Sequence, residues 1–440
     1  MSHALLTAWT RTLRRHGPAR AIVQADNGAT VTFRELDARA DAWLRTHLPD
    51  ADMLKGRAVV FAAPNSIAWF EIFLGLLKAG AVVVPLDAAE PPAAQRRLAT
   101  SLRAGFWWDG TKLEALMGTR RYRDPQVCLI KLTSGTTGQP RDLLFTAGQL
   151  LADGRQVTAT MGIRPRDLNY ALIPLGHSYG LGNLTIPLLA QGVPLVCGSS
   201  PLPHAIAADF SRWRPTVFPG VPALWRPLAA SALALPGLRL AISAGAALAP
   251  EVAQEFSARF GRRVHGFYGS SETGGISYDR TGTATLAGKV GRALRGVKLT
   301  ARPGQRLQVS SPAVLTHGNR RPGKWLMPDR ATVDSHGIVT LLGRRGVMVK
   351  IAGRRVSLAE VSDRLRRLPG VNDVWVGIGA GIEPVLGAVV ATRLTVVELR
   401  TALLADTAGW KIPKKLVVVA ALPLTTRGKP DTQALSGLVF

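Results

Sequence analysis

The chain has 440 residues, of which 47% are hydrophobic and 19% charged, with a mean hydropathy of +0.13. That balance excludes a disordered chain and a charged coiled coil, and the 45 glycines and 29 prolines follow no collagen-like G-X-Y period. The 55 Lys and Arg residues against 29 Asp and Glu give a net charge of +26, a field that attracts anions such as nucleotides, acidic proteins or phospholipid headgroups.

The basic residues are scattered rather than blocked, so they read as a solvated surface, with no specific nucleic acid partner and at most peripheral membrane contact. They are denser near the end, where 344–440 holds 15 basic and 7 acidic residues. Cys128 and Cys197 form no CxxC pair, which excludes a disulfide framework and a zinc site of cysteines. Residues 1–19 lack the apolar core of a signal peptide. The apolar windows 70–86 and 181–197 are interrupted by Lys78 and Gly80, and by Asn183, Pro187, Gln191 and Pro194, so neither reads as a membrane span. A globular, cytoplasmic protein is expected.

In chain order, three segments repeat one pattern of amphipathic helix, glycine and short β-branched run. Helix 68–79 closes at Gly80 before strand 81–84; helix 184–190 closes at Gly192 before 193–196; helix 252–260 closes at Gly261 before 263–267. Helices alternating with strands buried on both faces predict an α/β fold with mostly parallel sheets and a binding site at the strands' carboxyl ends. Beyond Gly304 the short runs 305–310, 331–333 and 337–342, with a turn at 334–337, predict a small β subdomain. The boundary is placed at Gly343/Arg344, giving an N-terminal domain 1–343, with the β subdomain at about 304–343. A small mobile α+β lid domain, 344–440, follows. Its expected elements are strands at 347–351, 374–378, 386–391 and 416–420, with helices at 357–368 and from Val396.

The strongest local signal is LTSGTTGQPR, 132–141. Thr133, Ser134, Thr136 and Thr137 alternate with Gly135 and Gly138 directly after the apolar run 127–130. A strand ending in such a loop offers hydroxyls and backbone N–H groups to a phosphate. It is not a Walker A loop, because no Gly-Lys-Ser/Thr follows at the required spacing.

This decapeptide resembles the phosphate loop of the acyl-adenylate-forming superfamily, the AMP-dependent synthetases and ligases that include acyl-CoA synthetases, and further motifs follow in order. PLGHSYG at 174–180 resembles the family's H-x-x-G, and YGSSET at 268–273 its Y-G-x-T-E with serine for threonine. Asp329 stands in a T-G-D position whose first residues are here Met327 and Pro328. Arg344 with Lys350, Gly353 and Glu360 resembles the G-R…K…G…E segment that opens the family's C-terminal domain. PLTTRGK at 423–429 resembles P-x-T-x-x-G-K. The likeness runs from the VTFREL segment near Thr32 to Lys429.

The resemblance implies an enzyme, an acid–thiol ligase that uses ATP to turn a carboxylic acid into an acyl-AMP and pyrophosphate, then passes the acyl group to a thiol. The implied cofactors are ATP, Mg²⁺ and coenzyme A or a carrier-protein phosphopantetheine. Thr133, Ser134, Gly135, Thr136, Thr137, Gly138 and Arg141 would hold the β- and γ-phosphates, and Ser271 the α-phosphate. Glu272 would ligate the metal, as a hard cation requires. Tyr268, Gly269, Gly245 and Ala246 would flank adenine and the acyl pocket, while Asp329 and Arg344 would bond the ribose. Lys429 would carry the chemical step, His177 would shape the acyl site, and Gly353 and Arg355 would face the thiol. Departures from the family are Arg141, which replaces a lysine, and Gly346, where a hinge side chain is usual.

Fatty or aryl acids are favoured, because Gly180, Leu181, Gly182 and 244–247 suggest a small, apolar pocket. No acidic residue stands beside His177 or in 242–248 to anchor an amino group. The alternatives are loading of an acidic acyl carrier protein, which the basic C-terminal domain would suit, and a catalytically degraded nucleotide- or partner-binding scaffold.

Overall fold

The computed structural model describes the whole chain except residues 1–2, 49, 119, 134–140, 317–321, 345–347, 352–353, 380–384, 405–408 and 426–427. The side chains of 51, 133, 344, 348–351, 354–355, 357 and 410 also lie outside the description. The chain divides into two compact units. The first comprises 1–300, 308–326 and 333–340, and the second 301–307, 327–332 and 341–440.

The first unit carries fifteen described strands: β1 (Arg20–Gln24), β2 (Thr30–Thr32), β3 (Ala58–Ala62), β4 (Val82–Leu86), β5 (Phe106–Trp108), β6 (Leu113–Ala115), β7 (Val127–Thr133), β8 (Arg141–Thr146), β9 (Asn169–Ala171), β10 (Leu195–Cys197), β11 (Val217–Gly220), β12 (Leu240–Ser243), β13 (Val264–Ser270), β14 (Gly274–Tyr278) and β15 (Arg292–Ala293). They build a nine-stranded sheet, β15-β14-β13-β12-β11-β9-β10-β1-β2, and a six-stranded sheet, β6-β5-β3-β4-β7-β8. The central pairs are parallel, while the edge pairs and the β13–β14 pair are antiparallel. This is the mostly parallel α/β architecture that the sequence predicts.

Local chemistry explains where the helices lie. Gly192 and Gly261, at φ +71 and +60, cap Ile186–Gln191 and Pro250–Phe260 in the left-handed region, as predicted. The VTFREL segment is a reciprocal capping box: Thr32 accepts from the Glu35 N–H, and Glu35 accepts from the Thr32 N–H. One feature is not written in the pattern. Residues Leu181–Thr185, where a plain helix is expected to begin, form a π-helical turn directly after the PLGHSYG segment.

Two cores hold the sheets. Tyr170, Phe210, Phe218, Trp225 and Phe256 pack on the nine-stranded sheet, each fully buried, and Val60, Val84, Trp107 and Ile130 on the six-stranded one. Complete burial of a large apolar side chain contributes about 1.5–3 kcal/mol.

A four-stranded sheet follows: β16 (Lys298–Arg302), β17 (Arg306–Ser310), β18 (Lys324–Val333) and β19 (Val339–Arg344), in that order. It begins at Lys298, earlier than the expected 304, because Pro303–Gln305 is the turn of a hairpin whose first strand the sequence reading missed. The second unit then adds the hairpin β20 (Met348–Ile351) and β21 (Arg354–Ser357), and a sheet of β22 (Val371–Gly379), β23 (Val385–Thr392) and β24 (Lys415–Val419). Its helices Leu358–Arg366 and Val396–Leu404 bury Val361, Leu365, Leu399 and Leu403 against that sheet. Among the described residues, no helix is long and apolar enough to cross a membrane.

Candidate active site

Strand β7 enters the phosphate-loop segment and β8 leaves it. Thr133 and Arg141 are register partners across this antiparallel pair, so the strands close a hairpin around 134–140. Arg141 is exposed at its mouth. Ser134, Gly135, Thr136, Thr137 and Gly138 lie outside the described residues.

The PLGHSYG segment follows β9. Asn65 fixes its path: its Nδ2 donates to the carbonyls of Ala171 (3.1 Å) and Ile173 (2.9 Å), and its Oδ1 accepts from the Leu175 N–H (3.1 Å). His177 is half-buried in extended backbone, immediately before the short helix Ser178–Gly180, and its carbonyl accepts from the Leu181 N–H at 2.8 Å. The next two side chains tie this segment to the other motifs. Ser178 Oγ donates to Ser271 Oγ at 3.0 Å. Tyr179 is buried, its hydroxyl donating to the Ile242 carbonyl in β12 at 3.3 Å and its ring packing on Phe267 of β13.

The YGSSET residues are the end and turn of the β13–β14 hairpin. Ser270 pairs with Gly274, leaving Ser271, Glu272 and Thr273 as the connection. Gly274 sits at φ +69, which three-residue hairpins favour at this position and a side chain rarely adopts. Thr273 is fully buried and bonds to Ser270, while Ser271 and Glu272 stay half-exposed. The Glu272 carbonyl accepts from the Leu315 N–H at 2.8 Å, anchoring the turn from below. Tyr268 is half-buried and Gly269 exposed within β13. Beyond the adjacent β12, Gly245 and Ala246 form an exposed turn with Gly245 at φ +88.

The structure therefore brings together His177, Ser271, Glu272 and the strand carrying Tyr268, with Gly245 and Ala246 following the neighbouring strand. The small residues Gly180 and Gly182 are explained differently from the sequence expectation. A Cβ at Gly180 would collide with the Pro174 carbonyl, and one at Gly182 would lie 2.7 Å from Asp153 Oδ2, so Gly180 makes room for backbone and Gly182 for a carboxylate. An open cavity of about 340 Å³ lies at the carboxyl ends of β1, β3, β4, β9 and β10, lined by Asn65, Asp87, Gly176 and Ser199 among others.

In the second unit, Asp329 is half-buried in β18 beside the fully buried Met327, whose carbonyl accepts from Arg306 Nε. Arg344 ends β19 and Arg355 lies in β21, their side chains outside the description, as is all of Gly353. Lys429 is exposed on a tight turn: the Thr425 N–H donates to the Lys429 carbonyl at 2.7 Å, and Thr425 Oγ1 accepts from the Lys429 N–H.

Residues 9–107 and 111–302 match the family described as AMP-binding enzyme. The chain belongs to this family. It is an AMP-forming acid–thiol ligase of the acyl-CoA synthetase type. It is 27% identical to a feruloyl-CoA synthase of Amycolatopsis sp over 96% of this chain and 97% of that protein. It is 29% identical to the benzoate–CoA ligase of Thauera aromatica over 69% and 64%. The fold matches ATP-bound MatB from Rhodopseudomonas palustris with TM-score 0.78 at 22% identity, covering 98% of each chain. It also matches Klebsiella oxytoca NpsA in complex with 3-hydroxyanthranilyl-AMSN with TM-score 0.81 at 21% identity, covering 100% and 99%. These likenesses establish a large α/β domain followed by a small C-terminal domain.

Mg²⁺ with ATP is what the resemblance implies, and the donor set at the hairpin turn would suit such a cation. Glu272 supplies one half-exposed carboxylate with the Ser271 hydroxyl next to it. Among the described residues no group of three His, Cys, Asp or Glu side chains converges to hold an ion. A hard cation here would complete its shell with nucleotide oxygens and water, as Mg²⁺ commonly does.

Sequence reasoning missed Asn65, Lys131 and Asp153. A signal existed for Lys131, a lone cation in the apolar run VCLIKLT; Asn65 and Asp153 left none.

Proposed function

We propose that this ligase activates an aromatic carboxylic acid with ATP, forming an aryl-AMP and pyrophosphate, and then transfers the aryl group to coenzyme A. The observation that carries this reading is the Ser178–Ser271 hydrogen bond, which holds the H-x-x-G segment against the hairpin turn bearing Glu272. Relatives named for ferulate and benzoate support the aromatic class, and the absence of a carboxylate in 242–248 argues against an amino acid substrate.

Adenylation brings a carboxylate onto the α-phosphate while pyrophosphate departs, so negative charge grows at both ends of the transferring group. Mg²⁺, when bound with ATP, neutralises phosphate charge. Thr133 to Gly138 wrap the β- and γ-phosphates, and Arg141 adds a fixed positive charge at the mouth of that hairpin. Ser271 donates to the α-phosphate and Glu272 holds the cation. Tyr268, Gly245 and Ala246 pack on adenine, and Asp329 with Arg344 accepts and donates to the ribose. Lys429 is a flexible point charge that bridges the attacking carboxylate and the nucleotide oxygens. His177 positions the aryl group. The C-terminal domain, 344–440, acts as a lid that presents Lys429 in the first half-reaction and the Gly353–Arg355 segment to the thiol in the second.

The test is ATP–pyrophosphate exchange over benzoates, hydroxybenzoates, cinnamates and fatty acids, followed by thioester formation with coenzyme A or with an acidic carrier protein. Exchange with aryl acids and rapid coenzyme A loading is the expected result. Preference for fatty acids would replace the substrate class, carrier loading alone would replace the acceptor, and no exchange with any acid would make the chain a scaffold.

A further inference from the structure

Two buried charged groups in the first unit take no part in the roles above. Lys131 in β7 is 6% exposed and Asp153, in the helix Ala147–Met161, is 5% exposed. Lys131 stands two residues before Thr133, where β7 runs into the phosphate loop. Asp153 Oδ1 accepts from the Gly275 N–H at 2.9 Å, just beyond the turn that carries Glu272.

The backbone is shaped around this carboxylate. A Cβ at Gly274 would run into Asp153 Oδ1, and one at Gly182 would meet Oδ2, so two different segments of the site each place a glycine there. The Lys131 ammonium lies 4.1 Å from the centroid of the Phe145 ring and is attracted by both Asp153 and Glu272. Burial pushes the Lys131 ammonium down and the Asp153 carboxyl up, and their mutual attraction opposes both shifts. Apolar residues of similar volume often match or exceed a pair of buried opposite charges in stability, so stability alone does not account for these two.

We propose that Lys131 and Asp153 are positioning residues: a buried electrostatic brace, in which Asp153 acts through its hydrogen bond to Gly275 and Lys131 through its charge, that sets the place and orientation of Glu272 toward the cation bound with ATP. The proposal rests on the reading of Glu272 as the metal ligand. Asp153 fixes the Gly274–Gly275 end of the turn through the Gly275 N–H. Lys131 balances the Asp153 charge, so that Glu272 does not face an uncompensated buried carboxylate.

The experiment measures ATP binding by calorimetry across a magnesium titration, without the acid substrate, alongside thermal melting. Three variants are compared with wild type. Asp153→Asn keeps shape and the acceptor for Gly275 but leaves Lys131 uncompensated beside the cation, so half-saturating magnesium should rise at least fivefold. The double variant Lys131→Met with Asp153→Leu removes both charges; it should melt close to wild type yet show a similar rise, because Glu272 has lost its brace. Glu272→Gln is the control for the metal reading. If it leaves the magnesium dependence unchanged, that reading fails and the brace falls with it. If it shifts the dependence while folded Asp153→Asn does not, the pair is purely structural and the proposal is overturned. A double variant with wild-type melting and wild-type magnesium dependence overturns it equally. Should the double variant not fold, Asp153→Asn decides alone.

Discussion

The hydroxyls of Ser178 and Ser271 lie 3.0 Å apart and join two segments separated by 93 positions in the sequence. Ser178 opens the short helix after His177, and Ser271 begins the turn after β13, so one bond sets the spacing of the PLGHSYG segment and the YGSSET turn. Removing it with Ser178→Ala should cost about 1 kcal/mol of stability, the usual net value of a half-buried neutral hydrogen bond. Adenylation should suffer more clearly. Loss of about 1 kcal/mol of positioning in the transition state lowers kcat/KM about fivefold. Pyrophosphate exchange and thermal melting read the two effects, and unchanged exchange would make the bond incidental.

Lys429 is exposed, and the bonds described for its turn run between backbone groups and the Thr425 hydroxyl. Lys429→Ala should therefore fold normally. Acyl-adenylate formation from ATP should fall roughly 100- to 1,000-fold, the scale of removing one aligned charge-stabilising group. Thioester formation from supplied acyl-AMP should be largely kept. Equal loss in both half-reactions would show that the lysine supports the domain rather than the chemistry.

What the sequence discloses here is what local chemistry decides. Gly192 and Gly261 end helices because the chain must turn left-handed there. Thr32 and Glu35 cap a helix because their spacing is a capping box, and TSGTTG stands out because its residues are contiguous. The expected run 337–342 lies two residues from β19 at each end, but 331–333 covers only the last part of β18, and β16 goes unpredicted because Lys298–Arg302 is short and buries no residue fully. The site's cross-links were hidden for another reason. Ser178–Ser271, Asn65 to the 171–175 backbone, and Asp153 to the Gly275 N–H are contacts between residues far apart in the chain, and no periodicity announces them. The π-helical turn at Leu181–Thr185 was equally invisible, since LGNLT suits an ordinary helix as well.

Burial pushes the imidazole of His3 down from 6.5 to about 4. A histidine held neutral in the folded state contributes stability that is fully present above its unfolded value near 6.5. That contribution is lost as pH falls toward the folded value, because the unfolded chain takes up the proton first. The stability difference between wild type and His3→Leu should therefore change by about 2 kcal/mol between pH 7 and pH 4.5, with wild type losing more at the acid end. Denaturant melts of both proteins at the two pH values measure it. A pH-independent difference would mean that His3 titrates normally in the folded chain.

Asn65 lies outside the motifs and holds the path of one of them. Its amide donates twice and accepts once, to the backbone of residues 171, 173 and 175, and so satisfies three groups on the stretch that leads to His177. Asn65→Ala would leave two carbonyls and one N–H without these partners in a half-buried setting, where an unsatisfied group costs about 1–3 kcal/mol. Water can reach part of this site through the adjoining cavity, so a total loss of about 2–3 kcal/mol is expected rather than the full sum. Asn65→Asp is the sharper test. It keeps the acceptor for the Leu175 N–H, but sets a carboxylate oxygen against the carbonyls of Ala171 and Ile173, so it should be at least as destabilising as alanine. If instead Asp matched wild type, the carbonyls would not be relying on the amide. Both variants should also raise KM for the acid more than KM for ATP, because the 171–175 backbone positions His177 and not the phosphate loop. An equal rise in both would place the fault in the fold of the whole unit.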